Sequence, residues 1–382
     1  MKRALTALAI LLYAVLAAAQ ARPILIEAES FEQKGGWAVD QQFMDRMGSP
    51  YLIAHGMGVP VADASTPVQI PLGGTWYVWV RTFNWTSPGS PKEGPGAFRL
   101  KIGGKTLPAR LGVTGDCWEW QSAGSLKLKA GDTALALRDL SGFDGRCDAV
   151  YLTMDASDVP PEDASDSWRN TVCPRAEALT ADYDFVVIGG GIAGMCAAVS
   201  AARMGCAKVA LIHDRPVLGG NNSSEVRVHL SGYSEIGIYP ELGKMLREFG
   251  HTKSGNAQPA SNYEDGRKSD FIASQENVTL YAPCHAVAVN MSEDGSRIES
   301  VLARNIESGE ELLLSAPLFS DCTGDGTIGY LAGADYRMGR EAASEFGENL
   351  APAEADRMMM GSSVQWYSVK EDKPSKFPAF SY

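Results

Sequence analysis

Residues Val187–Ala198 read VIGGGIAGMCAA, and the chain changes character at this point. Upstream, Phe185–Ile188 is a short apolar run of the kind that forms a buried strand. Downstream, Ile192–Met204 is rich in alanine and reads as a helix. Between them Gly189, Gly191 and Gly194 form a GxGxxG pattern. In a strand–turn–helix context each glycine has a task. Gly189 permits the tight turn, Gly191 lets the backbone approach a pyrophosphate, and Gly194 lets helix and strand pack closely. Ile192, Ala193 and Gly194 then offer first-turn N–H groups, which with the helix dipole favour an anion. The stretch reads as a dinucleotide cradle.

The sequence after the cradle narrows the type of dinucleotide. A second strand, Lys208–Ile212, is expected to end in an acid that holds a ribose. Here the position is His213, with Asp214 one place later. A carboxylate accepts from both ribose hydroxyls, whereas an imidazole manages one bond, so either residue is a candidate. RPVLGGNNSSEVRV follows, with Gly219 and Gly220 placed to wrap a diphosphate and Asn221, Asn222, Ser223 and Ser224 as donors. Strands are expected in NVTLYAPCHAVAVNM and over Ile298–Asn305. An apolar strand then leads into DCTGDGTIGYLAGA, where Thr323, Gly324 and Asp325 look like the second dinucleotide-facing turn of a flavin-binding fold, before a helix from about Thr327.

Together, VIGGGIAG, RPVLGGNNSSEVRV and DCTGDGTIGYLAGA resemble the FAD-dependent oxidoreductases, two-dinucleotide-binding-domain flavoproteins related to the heterodisulfide-reductase HdrA-type proteins. The resemblance covers about residues 183–382 and implies a Rossmann-type α/β domain holding FAD. Some relatives carry [4Fe-4S] clusters, but the seven cysteines (117, 147, 173, 196, 206, 284 and 322) contain no CxxC, and their spacing does not support one. Flavoproteins of this kind close on a late strand and a Gly-Asp turn. The aromatic residues Trp366, Tyr367, Phe377, Phe380 and Tyr382 are followed by neither, so the domain is expected to be incomplete at its C-terminus.

The front half has a different texture. ILIEAE, TWYVWVRTF, GAFRLKIGG, SLKLKAG, TALALRDL and DAVYLTM are short β-like runs broken by Gly and Pro, a pattern of sandwiches and jelly rolls. Six of the eight tryptophans (37, 76, 79, 85, 118 and 120) lie here. In GTWYVWVRTFNW the even face carries Trp76, Val78 and Val80 and the odd face Tyr77, Trp79, Arg81 and Phe83. One face suits a core; the other is either covered or stacks against a ligand such as a sugar ring. Residues 23–154 resemble a carbohydrate-binding-module β-sandwich. Such modules sometimes hold a structural calcium through acids near the first strand, here Glu27 and Glu29, but no metal is assigned. Residues 155–182, rich in Asp, Ser and Pro, read as a linker. The expected architecture is multidomain: an N-terminal all-β sandwich, jelly-roll-like, then the α/β FAD-binding domain from 183 to 382.

Net charge and the N-terminus bound the setting. A formal charge of −12 without a basic run argues against a nucleic-acid partner. Lys2 and Arg3 precede an apolar run to Ala18, and Ala19-Gln20-Ala21 fits a small-x-small cleavage pattern, so residues 1–21 read as a Sec-type signal peptide. The run is shorter than the ~20 residues of a membrane span. The protein is thus expected to be periplasmic or secreted. An odd cysteine count leaves at least one thiol unpaired and a Cys117–Cys147 disulfide open.

The functional expectation is an exported flavin oxidoreductase that takes hydride from a sugar or glycan hydroxyl. Two alternatives stand beside it: redox-assisted glycan cleavage, and a carbohydrate-binding protein with a remnant flavin domain. No catalytic base is assigned among His229, His251 and His285, and Glu225 and Arg227 are pocket candidates by position.

Overall fold

The computed structural model describes residues 21–87, 93–232, 235–361 and 368–374. The expected signal segment, but for Ala21, lies outside the described residues. So do the aromatic residues from Trp366 onward on which the expectation of an incomplete C-terminus rests. The chain forms two compact units, the first made of the residues up to Ala176 with Ile306–Gly309 and the second of Glu177–Asn305 and Glu310–Ser375.

The first unit is a two-sheet sandwich. Its strands are β1 (Ile24–Glu27), β2 (Ala38–Asp40), β3 (Tyr51–His55), β4 (Ala64–Ile70), β5 (Gly74–Thr82), β6 (Phe98–Ile102), β7 (Lys105–Thr106), β8 (Glu119–Leu128), β9 (Gly131–Asp139) and β10 (Phe143–Thr153). One sheet runs β2-β3-β10-β5-β8, with β1 also on β10; the other runs β4-β9-β6-β7. Every pairing is antiparallel. Period-2 alternation decides which side is buried. Trp76, Val78, Val80, Leu52, Val150 and Leu152 from the first sheet meet Val68, Phe98, Leu100, Ile102, Leu135 and Leu137 from the second in one core. Each such side chain contributes roughly 1.5–3 kcal/mol when fully buried.

Strands β3 and β4 were not among the sequence-expected runs. Pro67 lies inside β4, and it is tolerated because β4 is the edge of its sheet, where an N–H can be missing.

The odd face of β5 is covered. The stretch read as a linker, 155–182, holds helix α1 (Asp166–Val172), capped at its start by Ser165, whose Oγ accepts the amide of Trp168. Trp168 and Val172 pack on Trp79, Trp120, Tyr151, Leu25 and Ala149. Beneath them Asp148 is fully buried and accepts from Arg81 Nη1 at 2.9 Å, Arg169 Nη2 at 2.5 Å and Ser49 Oγ at 2.8 Å. Arg169 Nη1 also donates to Glu27. A guanidinium therefore stands beside the acids near β1, and Glu29 is buried next to them with Oε2 unpartnered. Among the described residues no group of three or more His, Cys, Asp or Glu is arranged to hold a metal ion. Cys117 and Cys147 are separate thiols, one exposed and one buried.

The second unit is α/β. Its strands are β11 (Leu179–Asp182), β12 (Phe185–Ile188), β13 (Val209–Ile212), β14 (Val278–Tyr281), β15 (Cys284–Met291), β16 (Ile298–Asn305), β17 (Glu311–Ser315) and β18 (Phe319–Asp321). A parallel sheet runs β14-β13-β12-β18. The second sheet is the antiparallel meander β15-β16-β17, with β11 parallel to β17. Strand β13 (VALI) is buried throughout, as a strand inside a covered parallel sheet must be. Helix α2 (Ile192–Arg203) follows β12 and buries Met195, Ala198 and Val199, an i, i+3, i+4 stripe, against β12 and β13. Helix α3 (Asp265–Ala273) and the short helix α4 (Thr327–Leu331) complete the parts that shape the site.

Candidate cofactor site

Three loops leave the carboxyl ends of neighbouring parallel strands: 189–191 after β12, 213–220 after β13 and 322–326 after β18. This is where ligands bind in open α/β sheets. The loops hold one another directly. The amide of Gly189 donates to Ile212 O on the neighbouring strand (2.8 Å), Cys322 N to Ile188 O (2.7 Å) and Gly219 N to Gly190 O (2.9 Å). Gly191 and Gly219 form a parallel bridge.

The glycines are required by the space available. Gly189 has φ 106°, and a Cβ there would lie 2.3 Å from Cys322 O. A Cβ on Gly194 would lie 1.8 Å from Gly189 O, so helix and strand can meet only at glycine. Gly191 differs: an added Cβ would meet only Gly220 Cα, at 3.9 Å, and a Cβ on Gly324 would meet nothing within 4 Å. At those two positions the space beside the backbone is open. Gly191 is the N-cap of α2, and its carbonyl takes the amide of Met195 at 2.9 Å. The amides of Ile192, Ala193 and Gly194 have no acceptor among the described residues.

His213 departs from the ribose-binding expectation. Its ring is buried, Nδ1 accepts the amide of Gly190 at 3.0 Å, and Nε2 donates to Val217 O at 2.8 Å. Both nitrogens are engaged inside the wall, leaving none for a ribose hydroxyl. Asp214 stands beside it, with Oδ1 3.9 Å from His213 Nδ1 and Oδ2 3.2 Å from His285 Nδ1. Burial pushes the Asp214 carboxyl up, but the bond and charge of His285 outweigh it and hold the group below the usual carboxylate range.

The remaining candidates divide in the same way. Asn221 is exposed beside Gly220, and Asp325 and Gly324 are exposed at the tip of the third loop. Ser223 is fully buried, with Oγ accepting the amide of Glu225, so it braces the loop. Thr323 Oγ1 donates to Asp321 Oδ1 at 2.6 Å and accepts from Thr327 N at 2.9 Å, which caps α4. Asp321 also accepts from Gly329 N at 3.0 Å. Burial raises its pKa, but these donors bring it below the ordinary value.

Lys268 on α3 was missed from the sequence. It is fully buried behind the glycine pair: a Cβ on Gly219 would lie 2.8 Å from Lys268 Cδ and Cε. Its ammonium donates to Tyr263 O and lies 3.5 Å from Asp265 Oδ1, which takes the amide of Ser224 at 3.2 Å. Burial lowers its pKa, against the pull of Asp265. Nothing in the polar run EDGRKSDF marks this lysine, because only the tertiary fold brings it beneath the loop.

The convergence of three glycine-bearing loops on one strand edge coincides with a family match over residues 184–379, to the FAD dependent oxidoreductases. The chain belongs to the FAD dependent oxidoreductase family. Its cofactor is FAD, and the residues present fit that group: open glycine faces at 191 and 324 and three first-turn amides without a protein acceptor among the described residues suit a diphosphate. No curated protein matches the chain. Among solved structures, the family 35 carbohydrate-binding module from Clostridium thermocellum is 17% identical, covering 35% of this chain and 98% of its own, with a TM-score of 0.28. The E. coli quinol fumarate reductase FrdA is 14% identical, with a TM-score of 0.29; the match covers 38% of this chain and 33% of the reductase. Likenesses this distant assign neither fold nor activity.

Proposed function

We propose that the chain is an exported FAD-dependent oxidoreductase that oxidises a hydroxyl of a sugar or glycan by hydride transfer to the flavin. One observation carries the redox part: the three glycine loops meet at the carboxyl edge of a single parallel sheet. In this reading Gly189, Gly191, Ile192, Ala193 and Gly194 hold the diphosphate from one side and Gly219, Gly220 and Asn221 from the other. Asp214 takes the ribose, and Thr323, Gly324 and Asp325 form the facing turn. His213 and Ser223 support these groups from behind.

Bound FAD supplies the two-electron chemistry; the protein binds, orients and moves the proton. The glycan part is supported by the aromatic-rich sandwich of residues 23–154, and export by the Lys2-Arg3 and apolar N-terminus. Kinship to the HdrA-type proteins of heterodisulfide reductase belongs to the same proposal. The test is anaerobic reconstitution of the full chain with FAD followed by a panel of free aldoses and oligosaccharides. Bleaching of the flavin by a carbohydrate supports the reading; bound flavin that only non-carbohydrate alcohols bleach overturns its substrate class.

A further inference from the structure

Four of the five histidines lie in the second unit, and three have evident duties. His213 braces Gly190. His285 holds Asp214. His251 accepts the amide of Leu230 through Nε2 at 3.1 Å, and its Nδ1 is buried. His229 is placed differently. Its Nδ1 lies 2.6 Å from Asn256 Oδ1, and its own amide reaches the same atom at 3.0 Å. A backbone N–H can only donate, so that atom is the carboxamide oxygen, and Nδ1 must carry the imidazole proton. Nε2 is thereby left with its lone pair, and no described residue donates to it.

The backbone around this pair is strained and pinned. Arg227, two residues before His229, has φ 62°, and Ala257, one after Asn256, has φ 54°. Both are non-glycine residues in the left-handed region, which persists only where surrounding structure over-determines it and which clusters at functional sites. Here the amide of Ala257 donates to Arg227 O at 2.9 Å, and the buried Tyr263 donates its hydroxyl to the same carbonyl at 2.6 Å. The segment also folds back onto the glycine loop. Val228 N donates to Asn221 O at 3.0 Å, and Val228 O accepts from Asn222 Nδ2 at 2.9 Å. His229 is thus fixed one residue beyond the contact with the two asparagines that follow Gly220.

We propose that His229 is the general base of the oxidation, its tautomer set by Asn256. The substrate O–H breaks and its proton goes to Nε2. The C–H on the same carbon breaks and leaves with both electrons as hydride to oxidised flavin, so a C=O forms and the imidazole becomes imidazolium. Asn256 Oδ1 keeps accepting from Nδ1 throughout. This rests on the flavin-oxidoreductase reading above. His229 interacts electrostatically with His251, whose other charged neighbours are Lys268 and Glu264, and Arg227 lies two residues before His229.

The test uses the full chain and begins without flavin. In 15N-histidine-labelled protein the five imidazoles are resolved by long-range 1H–15N spectra, with His229→Gln assigning the resonance. Neutral His229 is expected to be protonated on Nδ1, and Asn256→Ala is expected to mix its tautomers. A wild-type ring protonated on Nε2, or one unmoved by Asn256→Ala, overturns the inference. With FAD bound, His229→Gln is expected to retain flavin but slow flavin reduction by an aldose about 100-fold or more. It also flattens the acid limb of the pH profile, and Asn256→Asp moves that limb to higher pH. Wild-type reduction rates in His229→Gln overturn the base assignment, whereas a wild-type chain that takes up no FAD overturns the flavin reading.

Discussion

The imidazole of His213 supports the cradle through Gly190: Nδ1 accepts the Gly190 amide at 3.0 Å while Nε2 is anchored on Val217 O at 2.8 Å. The residue that stands in the ribose-acid position is thus part of the frame that sets the glycine turn. A Cβ on Gly190 would lie 2.6 Å from His213 Cγ, so ring and turn are in close contact.

Replacing His213 by Leu should leave the Gly190 amide unsatisfied and loosen the turn. A lost buried hydrogen bond costs about 1–3 kcal/mol, so FAD affinity, read by titration of flavin fluorescence, should fall roughly tenfold or more on that scale. His213→Asn, whose Oδ1 can accept in place of Nδ1, should recover most of it. Equal losses in both variants would show that the ring acts by volume alone.

Arg169 joins α1 to the sandwich through Asp148 and Glu27. Breaking a buried pair by removing one partner typically costs about 3–5 kcal/mol, because the other charge stays buried. Arg169→Met should destabilise the front unit by that order in urea unfolding followed by tryptophan fluorescence. A change below about 1 kcal/mol, the range of exposed ion pairs, would contradict the clamp.

Glu29 gives the front unit an unusual pH response. Burial, then the nearby charges of Glu27 and Asp148, push its pKa well above the ordinary value. Its folded form binds the proton more tightly than the unfolded chain does. The stability it contributes is therefore full below the ordinary glutamate range and lost as pH rises toward the folded-state pKa. Asp148 acts oppositely: burial would raise it, but Arg169 and Arg81 hold it low, so its contribution is lost only as pH falls below the ordinary aspartate range. Melting of the front unit should accordingly fall as pH is raised from about 4.5, just above the free glutamate pKa. Glu29→Gln should flatten that slope and raise the melting temperature at neutral pH; an unchanged slope would refute the assignment.

The strand, glycine turn and helix over 185–203 were legible in the sequence because glycine spacing reports backbone demands directly: Gly194 can be nothing larger with Gly189 O against it. The parallel strand β13 and the first two strands of the meander, β15 and β16, were legible as strand-like runs, whereas β17 was not among the expected strands. Helix α1 was not, since an Asp- and Ser-rich segment has a linker's composition. Its Ser165 cap followed by Asp166 was the available signal, and what buries it is Trp168 and Arg169 meeting a face already formed. Strand β4 was hidden by Pro67. The role of His213 was invisible because sequence position marks where a residue leaves the strand, not which way its ring turns. Lys268 and the His229–Asn256 pair depend on contacts between segments far apart in the chain.

The central claim is that this chain holds FAD between the loops at Gly191 and Gly220. Gly191 has φ −68°, and an added Cβ meets no protein atom closer than 3.9 Å, so Gly191→Val should fold while filling the space meant for the diphosphate. The direct measurement is FAD titration of the wild-type chain and Gly191→Val, each checked by circular-dichroism melting. The account predicts one FAD per wild-type chain, and a folded variant that melts within a few degrees of wild type but binds FAD at least about 100-fold more weakly, a difference of ~2.7 kcal/mol. A wild-type chain that takes up no FAD, or a variant that binds it as well as wild type, would contradict it.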